Sequence, residues 1–554
     1  MGNRFLTRVL EHMDGHSDRP FCTTVGRKRS ELFSWSDLEH DCRRFAQLYV
    51  DHGLGEGDQV LIFLEFGRSL YGAFIGAMLC GVVPSFMPTL SIRQNPTIFW
   101  SSHRELLNRL QPAAIIGSAQ VFGEMTAAGL QFGNMRRIYL EDLPDSGRCE
   151  WSIVKDGSLA FLQHSSGTTG LKKGVALTYN ALVRQLDSYS AALKLTGRER
   201  IVSWLPLYHD MGLVACFLLP LYQALEIHHI EPERWVTRPM VLFEALHGRE
   251  GTLIWMPNFA FDHMTMTLGE TLKAGNFDLA GVKAFINCSE PCKPESFDRF
   301  LQTFAALGVR PEQLQCCYAM AETTFAATQT NIGDVPCRVR VDPDRLGIGQ
   351  TPIDSVGRME IIESGREVHG IRIDYYDEHR EIVPDETVGE IGITGSFLFR
   401  EYNKDPERTF QQLQGGVYFT NDLGFRHHGS HFVLGRKDDV IIVNGRNLFA
   451  HEIEKVLADV AGLRPGRAVA VALQNERTGT CDLIILAERN PRVDRNDEAI
   501  RQEVIARIYS VFAVHPKSVA IREPGTLVKT TSGKISRRLN LAQYLGEGQQ
   551  SGSA

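Results

Sequence analysis

A run of small hydroxyl residues and glycines stands at the end of a short apolar segment and is followed by two lysines. The run consists of Ser165, Ser166, Gly167, Thr168, Thr169 and Gly170, with Lys172 and Lys173 after it. Glycines let successive backbone N–H groups converge on an anion, hydroxyls add short donors, and a lysine adds a mobile positive charge. The spacing is not that of a Walker A loop. The run therefore predicts a phosphate-binding loop, and a flexible surface loop is the alternative.

The elements around this loop alternate between helices and short strands. Helical periodicity covers Ser36–Gly53, with Ser36 as the expected N-cap and Gly53 as the expected stop. Strand-like runs occur at residues 59–64 and 113–117. Such alternation is typical of mostly parallel sheets with helices on their faces. We therefore expect an α/β fold in which an apolar strand runs into the phosphate-binding loop.

The last third of the sequence has a different pattern. Residues 371–393 contain short strands separated by turn residues, which indicates a small β-rich subdomain. A compact α+β module follows, with helices expected over His451–Val460 and Glu498–Phe512 and a hairpin over Ala468–Glu488. The predicted organisation is a large N-terminal domain of residues 1–435, a mobile C-terminal domain of residues 436–545 and a disordered tail of residues 546–554.

Composition narrows the class of protein. The formal net charge is -7 and the pI is about 6.2. The chain lacks the excess of basic residues typical of nucleic-acid-binding proteins, so we expect no nucleic-acid partner. Its 11 cysteines include no C-x2-C pair, which argues against a zinc site and for reduced thiols in a cytoplasmic protein. Residues 69–92 carry no charge, but glycines and prolines interrupt them. We expect a core helix followed by a strand there, and no integral membrane association.

Further segments suited to nucleotide chemistry follow the phosphate-binding loop in order. They are residues 204–213, 257–262, 287–291, 318–324, 418–424, 435–439, 445–447 and 529–535. Together with the loop, these segments resemble the motifs of the adenylate-forming superfamily. That superfamily includes acyl-CoA synthetases, fatty acyl-AMP ligases, peptide-synthetase adenylation domains and luciferases. The string His-Asp-Met-Gly-Leu at residues 209–213 is similar to the fatty acyl-AMP ligase branch and its close acyl-CoA synthetase neighbours.

The resemblance implies where a nucleotide binds. Relatives stack adenine against the segment matched by residues 287–291, and they hold the ribose with an aspartate matched by Asp422. Glu322 and Thr168 are implied as Mg²⁺ ligands, which suits a cation that prefers a few hard oxygens plus substrate phosphate. Beyond the phosphate-binding loop with Lys173, the implied nucleotide-binding residues are Ser289, Glu290, Pro291, Tyr318, Ala319, Met320, Ala321, Thr323, Asp422, Arg436 and Lys534. Ala319 and Asn421 stand where glycine is usual.

The resemblance also implies an acid site and a hinge. Asp438 corresponds to the hinge before the C-terminal domain. The residues implied to contact the acid or line its channels are His209, Asp210, Phe259, Phe261, Asp262 and Gly445. The residues implied to be catalytic are Lys534, His209, Thr168 and Glu322.

The implied activity is that of an AMP-forming acyl ligase. It converts a carboxylic acid, fatty or related, and ATP into acyl-AMP and pyrophosphate with Mg²⁺. The acyl group then passes to a phosphopantetheine thiol of a carrier protein or of coenzyme A. Residues 332–361 resemble an insertion of the carrier-loading branch, whereas residues 167–171 resemble acyl-CoA synthetases, and we favour a carrier protein. An enzyme restricted to one half-reaction and a non-catalytic interaction protein are the alternatives.

Overall fold

The structure is a computed structural model that describes residues 3–27, 29–90, 96–166, 172–269, 272, 277–443, 446–475, 480–529 and 535–551. Helices are frequent in the first three hundred residues and sparse after them. They are α1 (Arg4–Gly15), α2 (Trp35–Asp51), α3 (Arg68–Leu79), α4 (Pro96–Leu110), α5 (Ala119–Ala127), α6 (Tyr179–Ala192), α7 (Leu219–Gln223), α8 (Pro232–Thr237), α9 (Met240–Leu246), α10 (Asn258–Leu268), α11 (Pro294–Phe304), α12 (Pro406–Gln412), α13 (Ala450–Val456), α14 (Asp497–Phe512) and α15 (Arg537–Ser551).

Strands alternate with these helices in the first half of the chain and follow one another directly in the second half. Those of the first half are β1 (Pro20–Val25), β2 (Ser30–Ser34), β3 (Gln59–Phe63), β4 (Val83–Phe86), β5 (Ala114–Gly117), β6 (Arg136–Tyr139), β7 (Leu159–Ser166), β8 (Lys172–Thr178), β9 (Arg200–Ser203), β10 (Glu226–Ile230), β11 (Thr252–Met256), β12 (Val282–Asn287), β13 (Leu314–Ala319) and β14 (Ala326–Gln329). Those of the second half are β15 (Arg338–Val341), β16 (Met359–Ile362), β17 (Arg366–Glu367), β18 (Ile371–Tyr376), β19 (Gly389–Gly395), β20 (Glu401–Tyr402), β21 (Leu413–Gln414), β22 (Val417–His427), β23 (Ser430–Arg436), β24 (Val440–Val443), β25 (Arg446–Phe449), β26 (Leu463–Asn475), β27 (Thr480–Arg489) and β28 (Ser518–Arg522).

Two parallel sheets form the centre of the N-terminal region. The larger sheet has the strand order β17-β14-β13-β12-β11-β9-β10-β1-β2, and its strands from β13 to β1 run parallel. The smaller sheet has the order β4-β3-β5-β6 and is parallel throughout. Apolar residues from Phe5 to Tyr418 share one continuous core around these sheets. The expected α/β architecture with helix-flanked sheets is therefore confirmed.

The β-rich subdomain and the C-terminal unit follow this core. Strands β18, β19, β21, β22 and β23 form an antiparallel sheet, and β15 pairs with β16 beside it. In the C-terminal unit, β26 and β27 form the expected hairpin, β28 joins it in parallel, and α14 covers it. A separate apolar cluster runs from Ile441 to Val519, so this unit has its own core.

Two local predictions are wrong. Ser34 rather than Ser36 caps α2, because the Ser34 hydroxyl accepts from Asp37 N at 3.2 Å and the Asp37 carboxylate accepts from Ser34 N at 2.8 Å. The tail predicted to be disordered from residue 546 is helical up to Ser551, since it continues α15, and residues 552–554 lie outside the described ranges. Leu541 and Tyr544 anchor this helix by packing against the β26–β27 hairpin.

The uncharged stretch of residues 69–92 folds as expected over its described part. Helix α3 is buried along most of its length and leads into the buried strand β4. Searched over the described residues, the molecule has no helix with the length and apolar character needed to cross a membrane.

Candidate active site

Several of the predicted segments meet at one edge of the larger sheet, because the carboxyl ends of parallel strands point the same way. The loop after β9 carries His209, and the turn after β11 leads into Phe259. Ser289 lies just beyond β12, Tyr318 lies near the end of β13, and Glu322 follows in a short 3-10 turn. This edge of the sheet is therefore the candidate ligand site.

The predicted phosphate-binding loop connects two antiparallel strands beside this edge. Strand β7 pairs with β8, with Ser165 opposite Lys173 and Ser166 opposite Lys172. The central residues Gly167, Thr168, Thr169 and Gly170 lie outside the described ranges. The described part of the hairpin therefore fixes the position of Lys173 relative to the sheet edge.

Lys173 reaches from this hairpin to Glu322. Lys173 Nζ lies 2.5 Å from Glu322 Oε1, and the Tyr402 hydroxyl donates to the same oxygen at 2.7 Å. The Glu322 side chain is only 5% exposed. Burial opposes its ionisation, but the Lys173 ammonium and the hydrogen bonds from Lys173 and Tyr402 outweigh burial and hold the pKa of Glu322 below its usual value. A buried, ionised carboxylate thus stands beside the phosphate-binding hairpin.

Tyr402 is a site residue that the sequence analysis missed. It lies on β20, which pairs with β8 so that Tyr402 stands opposite Val175. The aromatic ring lies under the lysine, with Lys173 Nζ 4.9 Å from its centroid. No motif marks Tyr402 in the sequence, because long-range strand pairing rather than a local pattern brings it to Glu322.

A second polar group surrounds Asp422. The Tyr318 hydroxyl donates to Asp422 Oδ2 at 2.5 Å, and Arg436 Nε lies 2.9 Å from Asp422 Oδ1. Burial raises the pKa of Asp422, while Arg436 and Tyr318 favour the ionised form and limit the rise. The charges of Glu322 and Lys173 also act on Asp422. The two groups therefore belong to one electrostatic site.

Three residues beside these groups have a backbone conformation that is unusual for their type. Ser289, Thr324 and Asn421 have positive φ values of 69°, 62° and 62°, in the left-handed region that side chains other than glycine rarely adopt. Such strained residues cluster at functional sites. Asn421 stands where glycine is usual, and asparagine is one of the few residues that tolerates this region. The departure at Asn421 therefore keeps the irregular register of β22 beside Asp422.

The turn that carries Glu322 is braced by Thr323. The Thr323 side chain is fully buried, and its hydroxyl lies 3.1 Å from Met320 O and 2.6 Å from Phe325 O. The predicted nucleotide-binding residues that form this strand end and turn are Ala319, Met320, Ala321 and Thr323. The Thr323 side chain is thus occupied in shaping the turn.

The loop that carries His209 is tied to the phosphate-binding hairpin. Gln163 Nε2 on β7 donates to Tyr208 O at 2.7 Å, which places His209 at the partly exposed end of this loop. Asp210 Oδ1 accepts from the next backbone N–H at 2.8 Å and caps a π-helix over residues 211–218. π-Helical turns are rare and occur mostly at functional sites, which makes this segment a candidate part of the site.

Gly212 allows the loop to fold back on itself. A Cβ atom at position 212 would lie 2.3 Å from Pro206 O, which is too close for any side chain. The Leu213 backbone N–H donates to His209 O at 2.7 Å across the same turn. The glycine of the His-Asp-Met-Gly string is therefore required by the close approach of two backbone segments.

The three predicted residues of helix α10 have different surroundings. Phe259 is 47% exposed at the start of the helix, on the side of the sheet edge. Phe261 is fully buried, with its ring centroid 5.2 Å from that of Phe297. Asp262 Oδ1 pairs with Arg299 at 2.6 Å. Phe259 is thus open to a ligand, whereas Phe261 and Asp262 join α10 to α11.

The segment that carries Lys534 begins near the predicted adenine segment. Lys529 and Ile535 form an antiparallel bridge that closes residues 530–534, and Lys534 itself lies outside the described ranges. Partial desolvation lowers the pKa of Lys529 to about 8, and the charge of Glu290 acts in the opposite direction. The charge of Glu290, which neighbours the exposed Pro291, therefore acts on the first residue of this bridge.

An ion pair joins the C-terminal unit to the N-terminal region, and a second pair lies within the C-terminal unit. Lys455 Nζ on α13 lies 2.8 Å from Glu295 Oε1 on α11. Arg537 lies 2.9 Å from Asp439, the neighbour of the exposed predicted hinge residue Asp438. Gly445, predicted to line a pantetheine channel, lies outside the described ranges.

Comparison with known proteins agrees with this geometry. The family model for AMP-binding enzymes matches residues 9–403. The chain belongs to the AMP-binding enzyme family. Its membership confirms the resemblance to adenylate-forming enzymes and supports an AMP-forming ligase activity, in which ATP is a substrate.

Curated relatives and solved structures extend over nearly the whole chain. The long-chain-fatty-acid–AMP ligase FadD26 of Mycobacterium marinum is 27% identical over 94% of this chain and 92% of its own length. The long-chain-fatty-acid–AMP ligase FadD32 of Mycolicibacterium smegmatis is 28% identical over 88% of this chain and 85% of its own length. A structure from work on fatty acyl-adenylate ligases of E. coli and L. pneumophila has a TM-score of 0.90 at 22% identity, covering 99% of both chains. This structural likeness establishes the fold.

Proposed function

We propose that this AMP-binding enzyme is an acid–thiol ligase that forms an acyl-adenylate and passes its acyl group to a phosphopantetheine thiol. The observation that carries the proposal is the meeting of two polar groups at the strand ends. Lys173 and Glu322 form one group, and Tyr318, Asp422 and Arg436 form the other. One group suits a metal-bound polyphosphate and the other suits a nucleoside, and ATP contains both.

The nucleoside would bind to the second group and to the segment after β12. The Asp422 carboxylate can accept from the ribose hydroxyls, and Arg436 favours its ionised form against the effect of burial. The small side chain of Ser289 suits the approach of a flat base to the segment after β12. These residues bind and orient the nucleotide so that its α-phosphate points toward the acid site.

The polyphosphate would bind to the first group. Lys173 can exchange its contact with Glu322 for a phosphate oxygen, and the backbone N–H groups of residues 167–171 are suited to the same oxygens. Glu322 fits Mg²⁺, because it is a buried carboxylate that stays ionised beside the hairpin. Bound Mg²⁺ supplies positive charge that stabilises the pyrophosphate leaving group. Fixed charges of this kind lower the barrier where negative charge develops.

The acid carboxylate attacks the α-phosphorus in line with departing pyrophosphate, and acyl-AMP forms. His209 borders the approach of the acid, and Lys534 is assigned to the carboxylate and the α-phosphate. In the second half-reaction the thiol sulfur attacks the acyl carbonyl, AMP leaves, and the thiol proton is released. The two half-reactions need different groups in the same site. In the family, rotation of the C-terminal domain exchanges these groups, and we assign Asp438 as the hinge.

We propose a carrier protein rather than coenzyme A as the acyl acceptor. The hairpin of β15 and β16 lies within the segment that resembles an insertion of the carrier-loading branch. Val341 and Leu346 of this segment share an apolar cluster with Phe449, which follows the pantetheine segment of residues 445–447. The long-chain-fatty-acid–AMP ligase relatives support the same choice.

An assay of acid-dependent ATP–pyrophosphate exchange tests the first half-reaction. A panel of fatty, oxygenated and aryl acids should include some that support exchange. The product is then offered to coenzyme A and, separately, to a holo-carrier protein. Exchange without transfer to either thiol would favour an enzyme of one half-reaction, and absence of both exchange and ATP binding would favour a non-catalytic protein.

A further inference from the structure

A stacked pair of tryptophans stands beside the proposed acid site. The indole rings of Trp204 and Trp235 are 3.7 Å apart between centroids and only 6° from parallel. Trp204 directly follows β9 and begins the loop that leads to His209, and Trp235 lies on α8. The half-exposed ring of Phe259 meets both indoles edge-on, with centroids 6.1 and 6.3 Å away. We call Trp204 and Trp235 the tryptophan pair.

The tryptophan pair lies between the acid loop and the adenine segment. The Phe259 backbone N–H donates to Glu290 Oε2 at 3.1 Å, which ties this aromatic group to the residues after β12. On the other side, the Ser289 hydroxyl lies 3.9 Å from the sulfur of Met211, in the π-helix after His209. The pair is therefore placed where the organic part of an activated acid would extend from its carboxylate.

Both indoles carry a hydrogen-bond donor that has no acceptor. Trp204 is 4% exposed and Trp235 is 0% exposed, and among the described residues neither Nε1 has a hydrogen-bond partner. The Nε2 atom of His263, whose ring centroid is 5.4 Å from that of Trp235, is likewise shielded and without a partner in the described part of the chain. Three unsatisfied polar atoms in one aromatic group require an explanation, because buried donors are normally paired.

A ligand with an oxygen acceptor would satisfy these donors, whereas a plain alkyl chain would leave them unpaired. A site with hydrogen-bonding groups discriminates strongly against the analogue that lacks the matching atom, since the buried groups then lose their partner. A hydrophobic pocket discriminates only weakly between acids that differ by one methylene. The donors therefore indicate the chemical class of the acid.

We propose that Trp204 and Trp235 recognise an oxygen acceptor on the organic part of the acid, so that the enzyme prefers hydroxy or oxo acids to alkanoic acids of the same length. This inference rests on the proposed function, because it assigns the substrate class of the same acid site. The tryptophan pair acts as a specificity determinant, and the shielded His263 Nε2 is a third polar atom of the same aromatic group.

Matched acids test the preference in the wild-type enzyme. Alkanoic acids of about six to ten carbons, a size that suits a small-molecule site, are used. Each is compared with hydroxy and oxo acids of the same length that carry the oxygen at C4 or beyond. The measurement is kcat/KM in ATP–pyrophosphate exchange. We expect the best oxygenated acid to exceed its alkanoic counterpart by about tenfold or more. Equal values for every pair in the panel would overturn the inference.

Variants test whether the tryptophan pair is responsible. Trp204→Phe and Trp235→Phe each remove the N–H donor and keep an aromatic ring, and each should reduce the preference for the oxygenated acid by roughly three- to tenfold. Trp100→Phe is the matched control, since Trp100 is 2% exposed and its Nε1 has no partner in the described residues, but it packs around α4 in a separate core. An unchanged preference in both site variants would contradict the assignment.

Binding without turnover separates this inference from the proposed function. Non-reactive acyl-sulfamoyl adenosines carrying an oxo or an alkyl chain of equal length are titrated calorimetrically into the wild type and the three variants. Tighter binding of the oxo analogue that is lost in Trp204→Phe or Trp235→Phe, and kept in Trp100→Phe, supports the inference. Equal binding of both analogues overturns the inference and leaves the proposed function intact. Failure of both analogues to bind, with no exchange for any acid, contradicts the proposed function itself.

Discussion

At the scale of residues, the site depends on how a buried carboxylate is kept charged. Glu322 receives a lysine ammonium at 2.5 Å and a tyrosine hydroxyl at 2.7 Å on one oxygen. Its backbone oxygen accepts from Phe399 N at 2.8 Å, which fixes the turn. Removing a buried charge from water is expensive unless partners replace the lost hydration. Lys173 and Tyr402 supply those partners, so Glu322 is ionised before any ligand arrives.

Replacing this carboxylate by an amide should affect catalysis more than folding. Glu322→Gln keeps the shape but removes the charge that would bind Mg²⁺, and we expect pyrophosphate exchange to fall by roughly 10²–10³-fold, the scale for losing one charge-stabilising group. Its thermal unfolding should also shift, because Lys173 loses its buried partner. The measurement is the exchange rate per folded molecule at saturating ATP and acid.

Glu199→Gln is the control for this prediction. Glu199 is a similarly buried carboxylate that pairs with Lys283 at 2.7 Å, with side-chain exposures of 4% and 18%. It lies before β9, at the opposite end of that strand from His209. We expect a comparable loss of thermal stability with a nearly normal exchange rate. Equal rate losses in the two variants would show that Glu322 acts only through stability.

At the scale of elements, the site combines segments that follow parallel strands with the antiparallel β7–β8 hairpin and the antiparallel pair of β22 and β23. The parts with a local sequence pattern could be predicted from sequence. The hydroxyl-rich run before Lys173 and the segments of Glu322 and Asp422 were recognisable because each has a local pattern. Tyr402 has none, since it reaches Glu322 through the pairing of β20 with β8. The tryptophan pair was missed for the same reason, because Trp204 and Trp235 come from different strand–helix connections.

Helix ends were predictable only to within a turn. Both Ser34 and Ser36 are suitable N-caps, and the choice depends on whether Asp37 can reach back to the capping residue. The C-terminal helix α15 was missed because its sequence is polar and carries two glycines. Its stability comes from tertiary contacts, including the hydrogen bond from the Tyr544 hydroxyl to Ser518 Oγ at 3.0 Å.

The loop that carries His209 offers a test at this scale. Gly212→Ala places a Cβ atom 2.3 Å from Pro206 O, so the loop must move. We expect the KM for the acid to rise by roughly 10- to 100-fold, in keeping with the cost of a misplacement of about 1 Å, with a smaller change in the KM for ATP. Steady-state exchange kinetics with varied acid and varied ATP measure the two effects separately.

Gly123→Ala is the matched control for the loop variant. Gly123 is exposed on α5, and nothing lies within 4 Å of a Cβ atom built there. The alanine should stabilise the helix by about 0.5–1 kcal/mol and leave both KM values unchanged. If Gly212→Ala left the KM for the acid equally unchanged, the loop of His209 would not border the acid.

At the scale of the whole molecule, the C-terminal unit carries the segment of Lys534, to which we assign the positive charge that acts on the α-phosphate. The bridge of Lys529 and Ile535 joins the two ends of the segment of Lys534, and the charge of Glu290 acts on Lys529. Lys455 and Glu295 join the two regions on the same side. We therefore propose that adenylation takes place with the C-terminal unit in this arrangement.

Lys534→Ala should therefore separate the two half-reactions. We expect adenylation to slow by roughly 10²–10³-fold, because the transition state loses one fixed positive charge. Transfer from chemically supplied acyl-adenylate to a thiol should be largely spared. The two rates are measured independently, by pyrophosphate exchange and by thioester formation, and equal losses in both would contradict the role assigned to Lys534.

The ion pair of Lys455 with Glu295 joins the C-terminal unit to the N-terminal region, and its removal tests the proposed domain rotation. Lys455→Gln removes the contact with Glu295. The side chain of the lysine is 22% exposed and that of the glutamate is 42% exposed. A pair this exposed contributes about 0–1 kcal/mol, so the arrangement seen here should lose up to roughly fivefold in population. Adenylation should slow by that factor, while thioester formation from supplied acyl-adenylate should not slow.

Arg501→Gln is the control, because it breaks an exposed pair with Glu498 on α14 of the same unit. If both variants slowed adenylation equally, the effect would reflect the stability of the C-terminal unit rather than its docking.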